Sequence, residues 1–212
     1  MNTVAIVDYG MGNLRSVAKA IEHVALGCAV VITADPAVVA DAGRVVVPGQ
    51  GAMPDCMREL KARGLDAAVI RAAREKPFLG ICIGLQMLFE HSEEGDVAGL
   101  GLFSGQVRRF PEGAMVDAAG ARLKVPHMGW NEVRQAEPHP LWSGIADGTR
   151  FYFVHSYYVE PAAPDVIAGS THYGISFTSA VTRNNIFAVQ FHPEKSAQAG
   201  LALLGNFMSW NP

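Results

Sequence analysis

"KPFLGICIGLQMLFE", residues 76–90, places a cysteine between two glycines at the end of an apolar run. "PFLGIC" has the length and composition of a buried β-strand, and "GLQMLFEHS" reads as a helix. Gly80-Ile81-Cys82-Ile83-Gly84 is then a sharp turn from strand into helix. A strand that is apolar at every position, rather than alternating, is buried on both faces, which implies a parallel sheet covered by helices. The segments before it repeat the theme. "TVAIVD" is a strand, and "NLRSVAKAIEHVAL" has the apolar spacing of a helix from Asn13, with Gly27 as its stop. "CAVVIT" is a strand followed by a short Ala/Val-rich helix, "GRVVVPGQG" is a strand entering a Gly/Pro loop, and "LDAAVIRAARE" is again helical. Strands alternating with helices in this way build an α/β fold.

The second half changes character. "GQVRRF", "ARLKVPHMGWNEV", "RFYFVHSYYVEP" and "DVIAGSTHYG" are short, alternate in polarity and are rich in turn residues. "ISFTSAVTRNNIFAVQFHPE" predicts a hairpin with Asn184-Asn185 at a turn that needs positive φ, and "SAQAGLALLGNFMSW" predicts a closing helix. With no linker or repeat in between, we read residues 1–212 as one α/β domain with a mixed, mostly parallel central sheet flanked by helices.

Composition narrows the class. Half of the 212 residues are apolar, 17% are charged and the formal charge is −3, which fits a globular chain and argues against a polyphosphate partner. Three cysteines without a CxxC pair predict a reducing compartment and no disulfide framework. Neither a signal sequence nor a membrane-spanning apolar run is evident, so the expected location is the cytoplasm.

A glycine on each side of a turn nucleophile gives the room that a sharp strand-to-helix elbow needs. In that place Cys82 is a candidate nucleophile with the Ile83 N–H as an oxyanion donor, although the same five residues also suit a tightly packed connection around a buried cysteine. A cysteine nucleophile needs a base and the base an orienting group. "AVQFHPEKS" supplies both: Pro193 extends the backbone before it, and residues two apart then face the same way, so Glu194 sits beside His192. A zinc-deaminase reading of His-x-Glu fails for want of a downstream Pro-Cys-x-x-Cys. "VVVPGQGAM" offers backbone amides around Gly49, Gln50 and Gly51 as a second oxyanion donor, and lacks the Gly-Lys-Ser/Thr of a phosphate loop. His23, His91, His139 and His172 sit in surface-like or turn contexts, while His127 and His155 read as structural or pocket residues; Cys28 and Cys56 read as packing.

The motifs occur together and in order: "VDYGMGNLRS", "VVVPGQGAMPDCM", "LGICIGLQMLFE", "GLGLFSG", "PHMGWNEV", "FYFVHSYY" and "VQFHPEKS". Over nearly its whole length the chain resembles the class I (triad) glutamine amidotransferases, whose architecture is flavodoxin-like. "DYGMGN" and "HMGWN" mark, within them, the glutaminases that give ammonia to a separate cyclase of histidine biosynthesis. The resemblance implies that Cys82 attacks the glutamine carboxamide, that His192 carries the proton to the leaving ammonia, and that Glu194 orients His192. It implies an oxyanion hole from Gly49, Gln50, Gly51 and Ile83, with a backbone rearrangement in that loop. Gln86, Glu94, Ser156 and Tyr157 would hold glutamine. Asn13, Trp130, Tyr152 and Lys195 would face the partner, a cyclase subunit built as a (β/α)8 barrel. No cofactor, metal, nucleic acid or membrane is expected. Two other readings stay open on the residues: a stand-alone γ-glutamyl hydrolase or peptidase of the same scaffold, and a non-catalytic regulatory subunit.

Overall fold

A computed structural model describes residues 3–25, 27–111, 113, 115–117 and 119–212; the expected end of the first helix at Leu26 and the first two residues lie outside them. The parallel half runs β1 (Thr3–Val7), α1 (Leu14–Val24), β2 (Ala29–Thr33), α2 (Pro36–Asp41), β3 (Arg44–Gly49), α3 (Met53–Ala62), α4 (Asp66–Glu75) and β4 (Phe78–Cys82). Every residue of β3 and β4 is buried, as continuous apolar runs require. By contrast β2, at the sheet edge, is partly exposed along its length.

The chain continues through α5 (Ile83–Gln86), β5 (Phe89–Ser92), β6 (Val97–Ala98), β7 (Phe103–Arg109), β8 (His127–Glu132), β9 (Arg134–Gln135) and β10 (Arg150–His155). It ends with β11 (Tyr157–Pro161), β12 (Ile167–Tyr173), β13 (Ile175–Arg183), β14 (Ile186–Val189) and α6 (Ala197–Ser209). The main sheet has the order β2-β1-β3-β4-β14-β13-β11-β7-β5-β6, with β12 pairing β13 and β9 off this path. From β2 to β14 neighbouring strands are parallel. Beyond β14 the sheet is extended antiparallel through β13, β11 and β7. Helices α1 and α6 pack on each other, as do α2 and α4, and one contiguous apolar cluster joins both halves. The β13–β14 hairpin turns at Asn184, with φ 53°, as the Asn-Asn pair predicts.

One local expectation is corrected. The helix read over "GLQMLFEHS" stops at Gln86, and Phe89–Ser92 is strand β5, parallel to β7. Residues 83–89 are all buried, so up to Phe89 no exposed face offers a period that could separate helix from strand. Phe89 stacks on Phe103 of β7 with ring centroids 5.6 Å apart, which favours the strand. Helix α3 follows the Gly/Pro loop, over residues for which the sequence reading above assigns no element. Its N-terminus lacks a local side-chain cap; instead the distant Glu94 Oε2 accepts from the Met53 N–H at 2.8 Å. A carboxylate there satisfies an orphan donor and suits the positive end of the helix.

Strand β10 belongs to a separate two-stranded antiparallel ribbon with β8, whereas β11 belongs to the main sheet. The chain changes sheets at Ser156, so His155 and Tyr157 lie on opposite sides of a corner.

Candidate active site

The register of the sheet assembles the site. In β3 and β4, Gly49 stands opposite Cys82; in β4 and β14, Ile81 stands opposite Val189. The three strand ends therefore deliver the Gly49 loop, the cysteine elbow and the segment from Gln190 to Glu194 to one place. These are carboxyl ends of parallel strands, where open α/β sheets form their clefts.

Cys82 adopts φ 56° and ψ −109°, a region that costs a non-glycine residue about 1–3 kcal/mol. The flanking glycines explain how the elbow closes. A Cβ on Gly84 would stand 1.9 Å from the Val47 carbonyl oxygen, and one on Gly80 would stand 2.8 Å from the Gly84 carbonyl oxygen. A Cβ on Gly49 would likewise stand 2.5 Å from Ile83 Cβ, so this loop residue lies tight behind the elbow. Because α5 has only four residues, a helix dipole contributes little here; the first-turn Ile83 N–H remains an intrinsically unpaired donor.

His192 is 4% exposed, and its Nδ1 lies 2.9 Å from Glu194 Oε1, a carboxylate whose side chain is itself buried. Burial by itself would lower the imidazole pKa. Hydrogen bonding and charge from Cys82 and then Glu194 outweigh it, and the pKa is pushed up to about 10. Nε2 and Cys82 Sγ face one another short of full hydrogen-bond geometry: Nε2 has no bonded partner, yet the thiol is near enough to act on the charge of the ring.

A cavity of about 340 Å³ opens on this pair, lined by Gln50, Gly51, Cys82, Ile83, Gln86, Glu94, Ser156, Tyr157 and His192 among others. Gln86 is buried at 1% exposure and donates from Nε2 to the Tyr157 carbonyl at 3.2 Å and to Gln190 Oε1 at 3.1 Å. Its Oε1 has no partner. Gln190, which the sequence reading did not single out, donates from Nε2 to Cys82 Sγ at 3.7 Å. It stands two residues before His192, in the bend that follows the end of β14 at Val189; nothing in the residue pattern alone marks it. Cys56 and Tyr9 hold the Gly49 loop from behind, the thiol donating to the Gln50 carbonyl at 3.6 Å and the phenol to the Pro48 carbonyl at 2.7 Å. Burial pushes the Cys56 thiol up to about 11, which suits a donor and not a nucleophile.

Tyr152 and Lys195 line the same cavity, with Lys195 Nζ 5.9 Å from the Tyr152 ring centre and Trp130 edge-on to that ring at 6.2 Å. Trp130 and Met128, both on β8, are among the exposed large apolar side chains, at 50% and 62%. Asn13 precedes α1 on the loop whose Gly12 packs against Gly49. Among the described residues, no cluster of three or more His, Cys, Asp and Glu side chains has metal-binding geometry, and no helix is long and apolar enough to cross a membrane.

Residues 5–209 match the family model described as glutamine amidotransferase class-I. The chain is 70% identical to the imidazole glycerol phosphate synthase subunit HisH of Aromatoleum aromaticum, covering all of both chains. It is also 70% identical to the HisH subunit of Dechloromonas aromatica, over 99% of this chain and 97% of that one. Among solved structures, PurLQS from Thermotoga maritima superposes with a TM-score of 0.71 at 18% identity, covering 97% of this chain and 96% of the other. A crystal structure of a glutamine amidotransferase gives 0.68 at 16% identity, covering 93% and 94%. These two likenesses concern the fold.

Proposed function

The chain belongs to the class-I glutamine amidotransferases, and on that premise we propose that it hydrolyses glutamine to glutamate and hands the ammonia to a cyclase subunit. The relatives at 70% identity are named as subunits of imidazole glycerol phosphate synthase, and full-length identity at that level supports the same assembly here. The partner is then the cyclase subunit of that synthase, a (β/α)8 barrel, which uses the ammonia to make imidazole glycerol phosphate and AICAR. The stand-alone γ-glutamyl hydrolase reading is not favoured, since those relatives are synthase subunits.

The observation that carries the chemistry is the facing pair of Cys82 and His192, with Glu194 on the far ring nitrogen. In the proposed mechanism His192 Nε2 takes the thiol proton as Sγ attacks the glutamine Cδ. The developing oxyanion is held by the Ile83 N–H and by the loop amides of Gly49, Gln50 and Gly51; one such donor is worth about 10²–10³ in rate. The imidazolium, stabilised by Glu194, then protonates the departing nitrogen, the C–N bond breaks, and ammonia leaves a γ-glutamyl thioester. Water attacks that thioester with His192 as base, the C–S bond breaks, and the thiol is restored as glutamate forms. Gln86, whose Oε1 is unpartnered, and Glu94 would hold the α-carboxylate and α-amino groups of glutamine, and the backbone at Ser156 and Tyr157 would line the same pocket. Asn13, Trp130, Tyr152 and Lys195 are the proposed partner face, and the exposed Met128 and Trp130 supply the aromatic and thioether character typical of interface centres.

Glutamate release is to be measured for the chain alone, with the cyclase, and with the cyclase plus its phosphoribulosyl-formimino substrate. Negligible release alone with a large rise in the last state is expected, and Cys82→Ala should abolish release while still co-eluting with the cyclase. Turnover surviving in Cys82→Ala would sink the mechanism; equal rates in all three states would discard the partner gating.

A further inference from the structure

His127 and His155 are buried, at 3% and 6% exposure, and the proton transfers above use neither. Their contacts allow one tautomer each. Asn131 Oδ1 accepts from the Glu132 N–H at 2.8 Å and its Nδ2 donates to the His172 carbonyl at 2.9 Å, so this amide cannot be turned over. It therefore presents N–H to His127 Nε2, at 3.3 Å. His127 must carry its proton on Nδ1, which donates to His155 Nε2 at 2.9 Å. His155 in turn donates from Nδ1 to the Tyr157 carbonyl at 2.7 Å, across the corner where the chain changes sheets. Both ends of the relay dictate the same assignment. Burial agrees with it, lowering the pKa to about 4 at His127 and about 3 at His155, so both rings are neutral near pH 7.

The Tyr157 carbonyl is the meeting point. It accepts from His155 and from Gln86, which fills both of its lone-pair directions. Gln86 continues through Gln190 to Cys82 Sγ. The geometry points to His127 and His155 as positioning residues that fix the Tyr157 carbonyl, and through it the Gln86 carboxamide, relative to β8 with its exposed Met128 and Trp130. The volume could be filled as well by two apolar side chains, without the desolvation that two imidazoles bring. What only the polar pair does is orient one carbonyl in one direction, the role in which a fully satisfied buried network specifies a unique arrangement. Phe153 and Tyr173 stack on His127 with ring centres 4.9 Å and 4.0 Å away, holding the relay in plane.

This inference rests on the glutaminase reading. It is tested by steady-state glutamine hydrolysis in the complex with the cyclase, for the native chain and for His155→Leu, His155→Asn and His127→Phe. Asparagine at 155 keeps a donor in the Nδ1 position; phenylalanine at 127 keeps the stacking ring and removes the donor. The expected result is a roughly tenfold rise in KM for glutamine in His155→Leu with kcat within about threefold. His155→Asn should recover most of the loss, and His127→Phe should fall between. A flat KM in the folded variants, or an equal loss in His155→Leu and His155→Asn, overturns the inference. So does failure of all the variants to fold, since the pair would then serve the fold alone. A native complex that does not hydrolyse glutamine would instead overturn the glutaminase reading, and this inference with it.

Discussion

His192 and His155 line one cavity, are buried to nearly the same degree, and titrate in opposite directions, to about 10 and about 3. Desolvation disfavours the charged ring at both, so burial cannot be the difference. His192 has a buried carboxylate on Nδ1 and a thiol facing Nε2. His155 has a neutral carbonyl on Nδ1 and a second imidazole on Nε2, and the charge of His192 further opposes its protonation. One pocket thus holds an imidazole able to carry a proton through a reaction next to an imidazole that keeps its tautomer. Which histidine does which is decided by its partners.

Breaking the carboxylate side of this comparison should have the largest effect. In Glu194→Gln the amide can donate to His192 Nδ1, selecting the tautomer with its proton on Nε2, which cannot accept a proton from Cys82. A fall in kcat of about 10³–10⁴ is expected in the cyclase complex, with the cyclase still bound. A fall of less than tenfold would remove Glu194 from the orienting role.

Acid should act on the neutral side. Below about pH 6.5 each of His127 and His155 takes up a proton in the unfolded chain, whereas the folded rings resist it down to about 4 and 3. Stability therefore falls as pH drops through this window, by up to about 1.4 kcal/mol per pH unit for each group. His192 has the opposite sign: its contribution is complete below about 6.5 and is lost as pH rises toward about 10. Urea unfolding at pH 4.5–7 should show a shallower acid slope in His127→Phe than in the native chain; parallel slopes would mean that the ring is charged in the fold.

Gln190 joins the two sides, between Gln86 and Cys82. Gln190→Leu strands one Gln86 donor in a buried site and deprives the thiol of a weak donor. A loss of about tenfold in kcat/KM is expected. An unchanged value would mean that the thiol is positioned by the strained elbow backbone alone.

Much of this architecture was legible because it rests on pattern. Continuous apolar runs gave the parallel strands, and glycines at 80 and 84 marked an elbow whose reason the close approach to Val47 now supplies. What the pattern could not carry was tertiary. Helix α3 starts without a local cap because its cap, Glu94, arrives from another loop. The elbow helix ends early because Phe89 finds a partner in Phe103. Cys56 reads as packing, and Tyr9 is not singled out, until the Gly49 loop is laid across them. His127 and His155 were narrowed to structure or pocket, but their single tautomers depend on Asn131 and Tyr157, brought to them by ribbon register and by the corner at Ser156.

The smallest effect tests whether distance or surroundings sets a histidine's behaviour. His91 Nε2 lies 2.8 Å from Asp96 Oδ1, no farther than His192 lies from Glu194. The Asp96 side chain, however, is 95% exposed, so water competes for both partners and salt screens what attraction is left. His91→Gln should leave Tm within about 2 °C of the native value and glutamine hydrolysis unchanged. If it instead approached the effect of Glu194→Gln, an imidazole–carboxylate contact of this length would matter wherever it stood, and burial would lose its place in the case for His192 as the proposed base.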